Sequence, residues 1–212
     1  MAEPTTAHRR VTRQADLPLS GSFDAVFPLF GPLREADWAE GWHPEPLGQV
    51  PEPMEAGFAF RTRHEPPGPA VWTLTEYAQE GNDDERRGRV RYAMVAESSH
   101  VSRVSIDLSP EGRGCTARVR YDLTGLTAKG DDFIEGVTED CFDGWIAEWR
   151  QAIEHYLSTG ERLVSHRVQP VEGDAGDGGA GQDAGPGQEA GPGQEAGPGQ
   201  DAETTHKEKT DG

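Results

Sequence analysis

The sequence predicts an α+β fold in which a curved antiparallel sheet wraps around one long C-terminal helix. Five segments between residues 57 and 126 alternate apolar and polar side chains, as antiparallel strands with one buried face do. Residues 127–159 carry large apolar side chains at helical spacing. Short helical patterns interrupted by proline follow a first strand near the N-terminus, so two short helices are expected there.

The N-terminal elements follow from alternation, capping and proline. Residues 8–19 alternate well enough for a first strand, and Ser22 is a suitable N-cap for a short helix over residues 23–30. A second short helix is predicted over residues 32–40, with proline in its first turn. Residues 41–53 are rich in proline, so they form an edge strand at most.

The five alternating segments should form a meander, because only short turns separate them. They cover residues 57–64, 70–78, 89–96, 100–108 and 115–126. The pattern assigns an inward face to four of them and leaves the inward face of segment 70–78 open. His64 and Ser102 are polar residues that share the inward parity of their strands.

The C-terminal pattern predicts a single helix that is capped by Thr127, runs to Thr159 and ends at Gly160. Its apolar band is wider than the seam of a coiled coil, which suits the concave face of a strongly curved sheet. We therefore expect Trp145 and Trp149 to face the sheet. The residues of the band are Phe133, Ile134, Val137, Cys141, Phe142, Trp145, Ile146, Trp149, Ile153, Tyr156 and Leu157.

The chain divides into one domain and two tails. Residues 1–7 are expected to be a flexible N-terminus, residues 8–165 the domain, and residues 166–212 a disordered acidic tail with a GPGQEA-like repeat. The tail lacks the apolar side chains that would offset its ordering entropy. The tail and the domain both carry a negative charge, and the net charge of the chain is −18.

This acidity argues against a nucleic-acid partner or an anionic membrane, since both attract basic surfaces. The sequence has no secretion signal and no apolar run long enough for a membrane span, which favours a cytoplasmic location. Its histidines are scattered and its two cysteines lack zinc spacing, so we expect neither a metal nor a cofactor. Cys115 and Cys141 are predicted to be unpaired, because strand and helix geometry places them far apart.

The order of elements, with LPLSGSFDAVFPLFGPLREADWAEGWHPEPL and the closing EGVTEDCFDGWIAEWRQAIEHYLSTG, resembles the START-like superfamily. This superfamily is also called helix-grip or SRPBCC and includes Bet v 1-like and polyketide cyclase/dehydrase-like proteins. The resemblance covers about residues 8–160 and is greatest to bacterial members of unassigned function. It implies an internal cavity between the sheet and the C-terminal helix that often holds an apolar small molecule.

The resemblance therefore implies binding of an apolar or amphipathic small molecule, and two alternatives stay open. One is a polyketide cyclase or aromatase that uses His100 and Tyr92 as catalytic residues. The other is a protein-interaction module with a collapsed cavity, similar to Hsp90 activators. Neither the ligand nor the oligomeric state follows from the sequence. The side chains expected to line the cavity are Phe58, Phe60, Trp72, Tyr92, Met94, His100, Val104, Tyr121, Trp145 and Trp149.

Several of these side chains also have a purely structural interpretation. His100 starts a strand, where it can lie near solvent without a role, and that interpretation is favoured over proton transfer. Trp38 and Trp42 are expected to pack where the short helices meet the mouth of the cavity, as core rather than functional residues. For Tyr92 and Tyr121 the default is a buried ring with a hydrogen-bonded hydroxyl.

Overall fold

The computed structural model describes residues 7–63, 68–82 and 85–164. The predicted tail, most of the predicted flexible N-terminus and His64 lie outside them. Over these residues seven antiparallel strands form one sheet in the order β1-β7-β6-β5-β4-β3-β2. The strands are β1 Arg10–Leu19, β2 Glu45–Pro46, β3 Ala59–Thr62, β4 Ala70–Glu80, β5 Arg87–Val95, β6 His100–Glu111 and β7 Gly114–Gly125. Strands β3 to β7 are the predicted meander.

The outer face of the sheet is polar and carries ion pairs between neighbouring strands. Arg89 on β5 contacts Glu76 and Glu80 on β4, each at 2.6 Å. Arg118 on β7 contacts Asp16 on β1 at 2.8 Å. Such exposed pairs contribute up to about 1 kcal/mol each, so most of the stability comes from the inner face.

The structure settles the orientation of β4, which the sequence left open. Ala70, Trp72 and Leu74 are buried on the inner face. The register then shifts between Leu74 and Glu76, as in a β-bulge. The shift exchanges the two faces of the strand, so that Tyr77 lies opposite the buried Val90 of β5.

The two short helices predicted after β1 are present and shorter than expected. α1 spans Phe23–Val26 and is capped by Ser22, whose hydroxyl accepts a hydrogen bond from the Ala25 N–H at 3.4 Å. A 3-10 helix over Phe27–Phe30 follows directly, with proline in its first turn. The second predicted helix is a single 3-10 turn at Arg34–Asp37. Because these helical turns are short, the chain crosses the open side of the sheet within a few residues.

The prediction of one continuous C-terminal helix is wrong. α2 covers Ala128–Gly136 and α3 covers Glu139–Thr159, and the chain leaves helical geometry between them at Val137, with ψ 69°. Glycine at the end of α2 and a β-branched residue after it both disfavour a helix. Thr138 then caps α3, because its hydroxyl accepts a hydrogen bond from the Cys141 N–H at 3.2 Å.

The predicted start and end of the helical region are confirmed. The Thr127 hydroxyl accepts a hydrogen bond from the Gly130 N–H at 3.1 Å, and Gly160 ends α3 at φ 74°. α3 buries one side against the sheet, with Phe142 and Trp149 among its buried residues. This long helix on a seven-stranded antiparallel sheet, with short helices after β1, is the predicted helix-grip fold.

Cys115 and Cys141 form no disulfide, as predicted. Cys115 is buried on β7, where burial and the charge of Glu154 raise the pKa of its thiol to about 11. Cys141 lies in the first turn of α3. Cys115 is therefore a thiol at neutral pH and acts as a small apolar core residue.

Candidate functional site

A small cavity lies between the inner face of the sheet, α3 and residues 31–42, which we call the cover segment. Its volume is about 20 Å³, enough for about one water molecule. Three structural units contribute to its wall, and the sheet contributes half of the side chains. The wall consists of Glu35, Trp38, Ala39 and Trp42 from the cover segment, Trp72, Tyr92, Val104, Ile106 and Tyr121 from the sheet, and Trp149 from α3.

Aromatic rings make up most of this wall and pack edge to face. Trp38 meets Trp149 with ring centroids 5.5 Å apart, and Trp42 meets Trp72 at 5.4 Å. On the sheet, Tyr92 stands nearly perpendicular to Trp72 at 6.1 Å. Edge-to-face pairs of this kind hold ring orientations within narrow limits, so the wall is well defined.

The indole hydrogen bonds of the cover segment are made within the segment and to the chain just before it. The Trp38 indole N–H donates to the Leu29 carbonyl at 2.8 Å, and the Trp42 indole N–H donates to the Pro32 carbonyl at 2.8 Å. Both carbonyls lie nine or ten residues upstream of the donor. These bonds fix both indoles relative to the segment rather than relative to the sheet.

Two of the polar atoms contributed by the sheet already have partners. The Tyr92 hydroxyl donates to the Phe30 carbonyl at 2.7 Å, in a buried position. The Trp72 indole N–H donates to the Thr62 hydroxyl at 3.0 Å. Neither group needs a further partner.

Glu35 contributes a buried carboxyl group to the wall. The side chain is 6% exposed, and burial raises its pKa well above the ordinary value. Its neighbours Arg34 and Asp37 point outwards and pair with each other at 2.6 Å. The 3-10 turn places Glu35 on the same side as Trp38, three residues later, which explains why it points inwards. Within the described residues the carboxyl group makes no hydrogen bond or ion pair.

The Tyr121 hydroxyl also lacks a hydrogen bond within the part of the chain that the structure describes. Its ring lies 6.4 Å from the Trp149 ring on α3. Burial, and then the nearby Glu35 charge, raise the pKa of Tyr121, and the same two causes raise the pKa of Tyr92. The cavity therefore presents a carboxyl and a hydroxyl to a molecule enclosed by aromatic rings. This arrangement can bind a polar or cationic group, or exchange a proton with it.

Five of the ten residues that the sequence predicts as cavity lining contribute to this wall. They are Trp72, Tyr92, Val104, Tyr121 and Trp149. Phe58, Phe60 and Met94 are buried but lie outside the wall of this cavity. The Phe60 ring stacks on the Trp72 ring at 5.9 Å and thereby supports the wall from behind. For these three residues a role in binding stays a prediction.

His100 lies away from this cavity, at the start of β6. It is 2% exposed, its ring stacks on Phe133 at 4.7 Å, and its Nδ1 lies 2.9 Å from the Ser99 hydroxyl. Burial lowers its pKa to about 4. The histidine is therefore neutral at pH 7, and it is buried rather than close to solvent as the structural interpretation expected.

Trp145 turns towards the sheet, as expected, but packs beside the cavity rather than in its wall. Its ring meets Tyr121 at 6.5 Å and Phe142 at 6.0 Å. The Trp145 indole nitrogen and the Ser102 hydroxyl are buried without a hydrogen-bond partner in the described residues. Both atoms retain hydrogen-bonding capacity for a water molecule or another polar group.

Three residues of the wall were not predicted from the sequence, and they are Glu35, Ala39 and Ile106. Trp38 and Trp42 were predicted at the mouth of the cavity, and both belong to the cavity wall. The sequence does contain a signal for Glu35 and Ala39: Glu35 precedes Trp38 by three residues and Ala39 by four, so all three share one face of a helical turn.

Two further observations on the described residues concern metal sites and membrane spans. These residues contain no cluster of three or more His, Cys, Asp or Glu side chains that could hold a metal ion. None of their helices is long and apolar enough to cross a membrane.

Comparison with known proteins gives matches only among solved structures. No family model matches the chain, and no curated protein matches it. A norcoclaurine synthase point mutant from Thalictrum flavum, in complex with a transition-state analogue, has TM-score 0.51 and 13% identity over 74% of this chain and 99% of that chain. At this identity the likeness shows a shared fold.

Two other solved structures are similar at lower scores. The same synthase with dopamine and hydroxybenzaldehyde has TM-score 0.47 and 13% identity, over 72% of this chain and 88% of that one. CalU16 from Micromonospora echinospora has TM-score 0.43 and 16% identity, over 74% of this chain and 86% of that one. The structural neighbours are thus Bet v 1-like, or SRPBCC, proteins at low identity.

Proposed function

We propose that this chain is a START-like protein that binds an apolar or amphipathic small molecule between the sheet, α3 and the cover segment. The observation that carries the proposal is the buried Glu35 carboxyl, which has no partner among the described residues and lies in an aromatic wall. A buried polar group left unpaired costs about 1–3 kcal/mol. Groups with strongly shifted pKa values concentrate at functional sites, which supports a role for Glu35 in binding.

The small volume of the cavity means that the cover segment has to move when a ligand enters. Apart from ring packing, its links to the C-terminal region are few and close to the surface. Arg34 donates to the Tyr156 hydroxyl at 3.2 Å, that hydroxyl lies 3.4 Å from Asp37, and Arg162 donates to the Ala36 carbonyl at 3.3 Å. Exposed bonds of this kind contribute little, so movement of the segment mainly has to separate the buried Trp38 and Trp42 rings from α3 and the sheet, and an apolar ligand would replace those contacts.

The comparison adds one supporting point. The norcoclaurine synthase with the same fold is in complex with a transition-state analogue. A fold that accommodates an organic molecule in one protein is a suitable scaffold for binding another, although the ligand has to be inferred from the site itself.

A cyclase-like enzyme is the second candidate, and the raised pKa of Glu35 favours it. A carboxyl group whose pKa is raised well above its ordinary value by burial keeps its proton to higher pH, which is what a general acid needs. The roles suggested for His100 and Tyr92 have less support, because His100 lies outside the wall and the Tyr92 hydroxyl is bound to the Phe30 carbonyl. Glu35 and Tyr121 are the more suitable pair for this chemistry.

A protein-interaction module with a collapsed cavity is favoured only by the small volume. Such a module gains nothing from an unpaired buried carboxyl, which would destabilise it without serving a function. Ligand binding explains the unpaired carboxyl, so we favour it.

The proposal can be tested with the neutral apolar dye Nile red. We expect its fluorescence to rise on binding and the tryptophan fluorescence to change, since four of the five tryptophans line the cavity. Ala39→Leu adds three carbons inside the wall and should weaken binding at least tenfold. Ala147→Leu adds the same atoms on the exposed side of α3 and should leave binding unchanged. Equal binding by both variants, or none by the wild type, would contradict the proposal.

A further inference from the structure

We infer that the small molecule carries an organic ammonium group, which pairs with the Glu35 carboxylate inside the ring of aromatic side chains. The inference rests on the proposed function and names the class of ligand for the same cavity. It follows from the unpartnered carboxyl, from the composition of the wall and from the charge of the chain.

The first step is the missing partner of Glu35. A buried carboxylate needs a cation or several hydrogen bonds to offset its lost hydration. The wall contains no Arg, Lys or His side chain from the described residues. The adjacent Arg34 is engaged outside the cavity, with Asp37 and the Tyr156 hydroxyl. The positive charge that would complete the site therefore has to arrive with the ligand.

The second step is the aromatic wall around the carboxyl group. Six rings face the cavity, and they belong to Trp38, Trp42, Trp72, Tyr92, Tyr121 and Trp149. The faces of aromatic rings attract cations, tryptophan most strongly, and cages of such rings suit alkylated ammonium groups. An aromatic wall with one carboxyl therefore matches an apolar ammonium ion better than an anion or a plain hydrocarbon.

The third step is the protonation of the site. Without a ligand, burial keeps the Glu35 carboxyl protonated over a pH range above its ordinary pKa. Tyr92 on β5 and Tyr121 on β7 face it and stay neutral, because their pKa values are raised. The other wall residues do not titrate. When a permanent cation binds, Glu35 loses its proton to solvent, so one proton is released for each cation bound.

The charge of the whole chain acts in the same direction. A net charge of −18 creates a negative potential that attracts cations from solution and repels anions. This long-range term raises the association rate, whereas Glu35 and the aromatic rings provide the selectivity. It also predicts that association slows as salt is added.

The test compares benzyltrimethylammonium with neopentylbenzene, which has the same shape and no charge. Titration calorimetry at pH 6, 7 and 8, in buffers of different ionisation enthalpy, gives both affinity and proton release. We expect the cation to bind at least tenfold more tightly than neopentylbenzene at pH 8. In the pH range where Glu35 is protonated in the free protein, about one proton should be released for each cation bound, and affinity should fall about tenfold for each unit by which pH is lowered.

Glu35→Gln should remove the preference for the cation and the proton release, while neopentylbenzene still binds. Glu148→Gln removes the same charge from the exposed side of α3 and should change neither. Proton release by the wild type needs no variant, so it decides the matter even if Glu35→Gln folds poorly.

The outcomes separate the two proposals. Equal affinity for the two probes, or tight cation binding without proton release, would overturn the ammonium inference and leave small-molecule binding standing. Binding of Nile red without binding of either probe would also reject the ammonium class. Failure of all three molecules to bind would refute the proposed function and the inference together.

Discussion

Glu35→Gln should make the protein more stable than the wild type at high pH and leave it similar at low pH. Burial raises the pKa of Glu35 in the folded protein above the 4.5 of an unperturbed side chain. The folded state therefore binds this proton more tightly than the unfolded state does. The resulting stability is fully present below pH 4.5 and is lost as pH rises through the folded pKa. Glutamine has the same shape and does not titrate.

The magnitude follows from the linkage between pKa and stability. Each unit by which folding raises the pKa corresponds to about 1.4 kcal/mol, and the interval from pH 5 to pH 8 limits the difference to about 4 kcal/mol. Urea unfolding at pH 5 and pH 8 measures the free energy of unfolding of both proteins. Glu148→Gln, on the surface of α3, serves as the control and should show no such trend.

A constant difference between Glu35→Gln and the wild type across this range would refute the reasoning. It would mean that Glu35 titrates normally in the folded protein, through a solvent path or a partner. The carboxyl would then not be the unpaired buried group on which the proposed function depends.

Four other predictions concern stability. Relative to His100→Gln, the wild type should lose up to about 3 kcal/mol in urea unfolding as pH falls from 6.5 towards 4, since burial holds the pKa of His100 at about 4. Trp149→Ala should cost about 3 kcal/mol in the same assay, the low end for a buried tryptophan, because the ring partly lines a void. Gly130→Ala would place a Cβ 1.8 Å from the Ser99 carbonyl oxygen and should lower the free energy of unfolding by at least about 2 kcal/mol. Gly144→Ala, its matched control on α3, has open space around the new Cβ and should raise the free energy of unfolding by about 0.5–1 kcal/mol. Deletion of residues 171–212 should leave the melting temperature nearly unchanged in calorimetry, because that segment has no large apolar side chain beyond Val171 to dock.

The strands could be predicted from sequence because their successive side chains point alternately to the buried and the exposed face of the sheet. In β7, Ala117, Val119 and Tyr121 alternate with arginines. These three residues are buried, as the pattern indicates. Strand β4 resisted assignment for a physical reason. Its bulge between Leu74 and Glu76 exchanges the two faces, so no single alternation fits the whole strand.

The break between α2 and α3 was missed because apolar spacing continues across it. Phe133, Val137 and Cys141 keep a spacing of four residues, although the chain leaves the helix at Val137. Local capping overrode that pattern: Thr138 and the acids after it start a new helix. Capping signals therefore deserve as much weight as periodicity when a long helix is inferred.

Glu35 could not be assigned to the cavity by composition alone. An acidic residue in a short, charged turn is normally exposed. The Asp37 side chain, two residues later, is 38% exposed. Only the contact of the 3-10 turn with Trp149 and the inner face of the sheet fixes which side is buried. Trp149 lies more than 100 residues after this turn, and the sheet residues of the wall also belong to distant parts of the chain, so the sequence pattern of one segment does not contain these contacts.

Native mass spectrometry of the purified protein tests ligand binding most directly. The wild type should retain one small molecule per chain, either copurified or added as benzyltrimethylammonium, and Ala39→Leu should lose it while Ala147→Leu keeps it. A wild-type protein that stays unliganded with excess benzyltrimethylammonium and Nile red, or an equal adduct on Ala39→Leu, would contradict binding in the cavity beneath the cover segment.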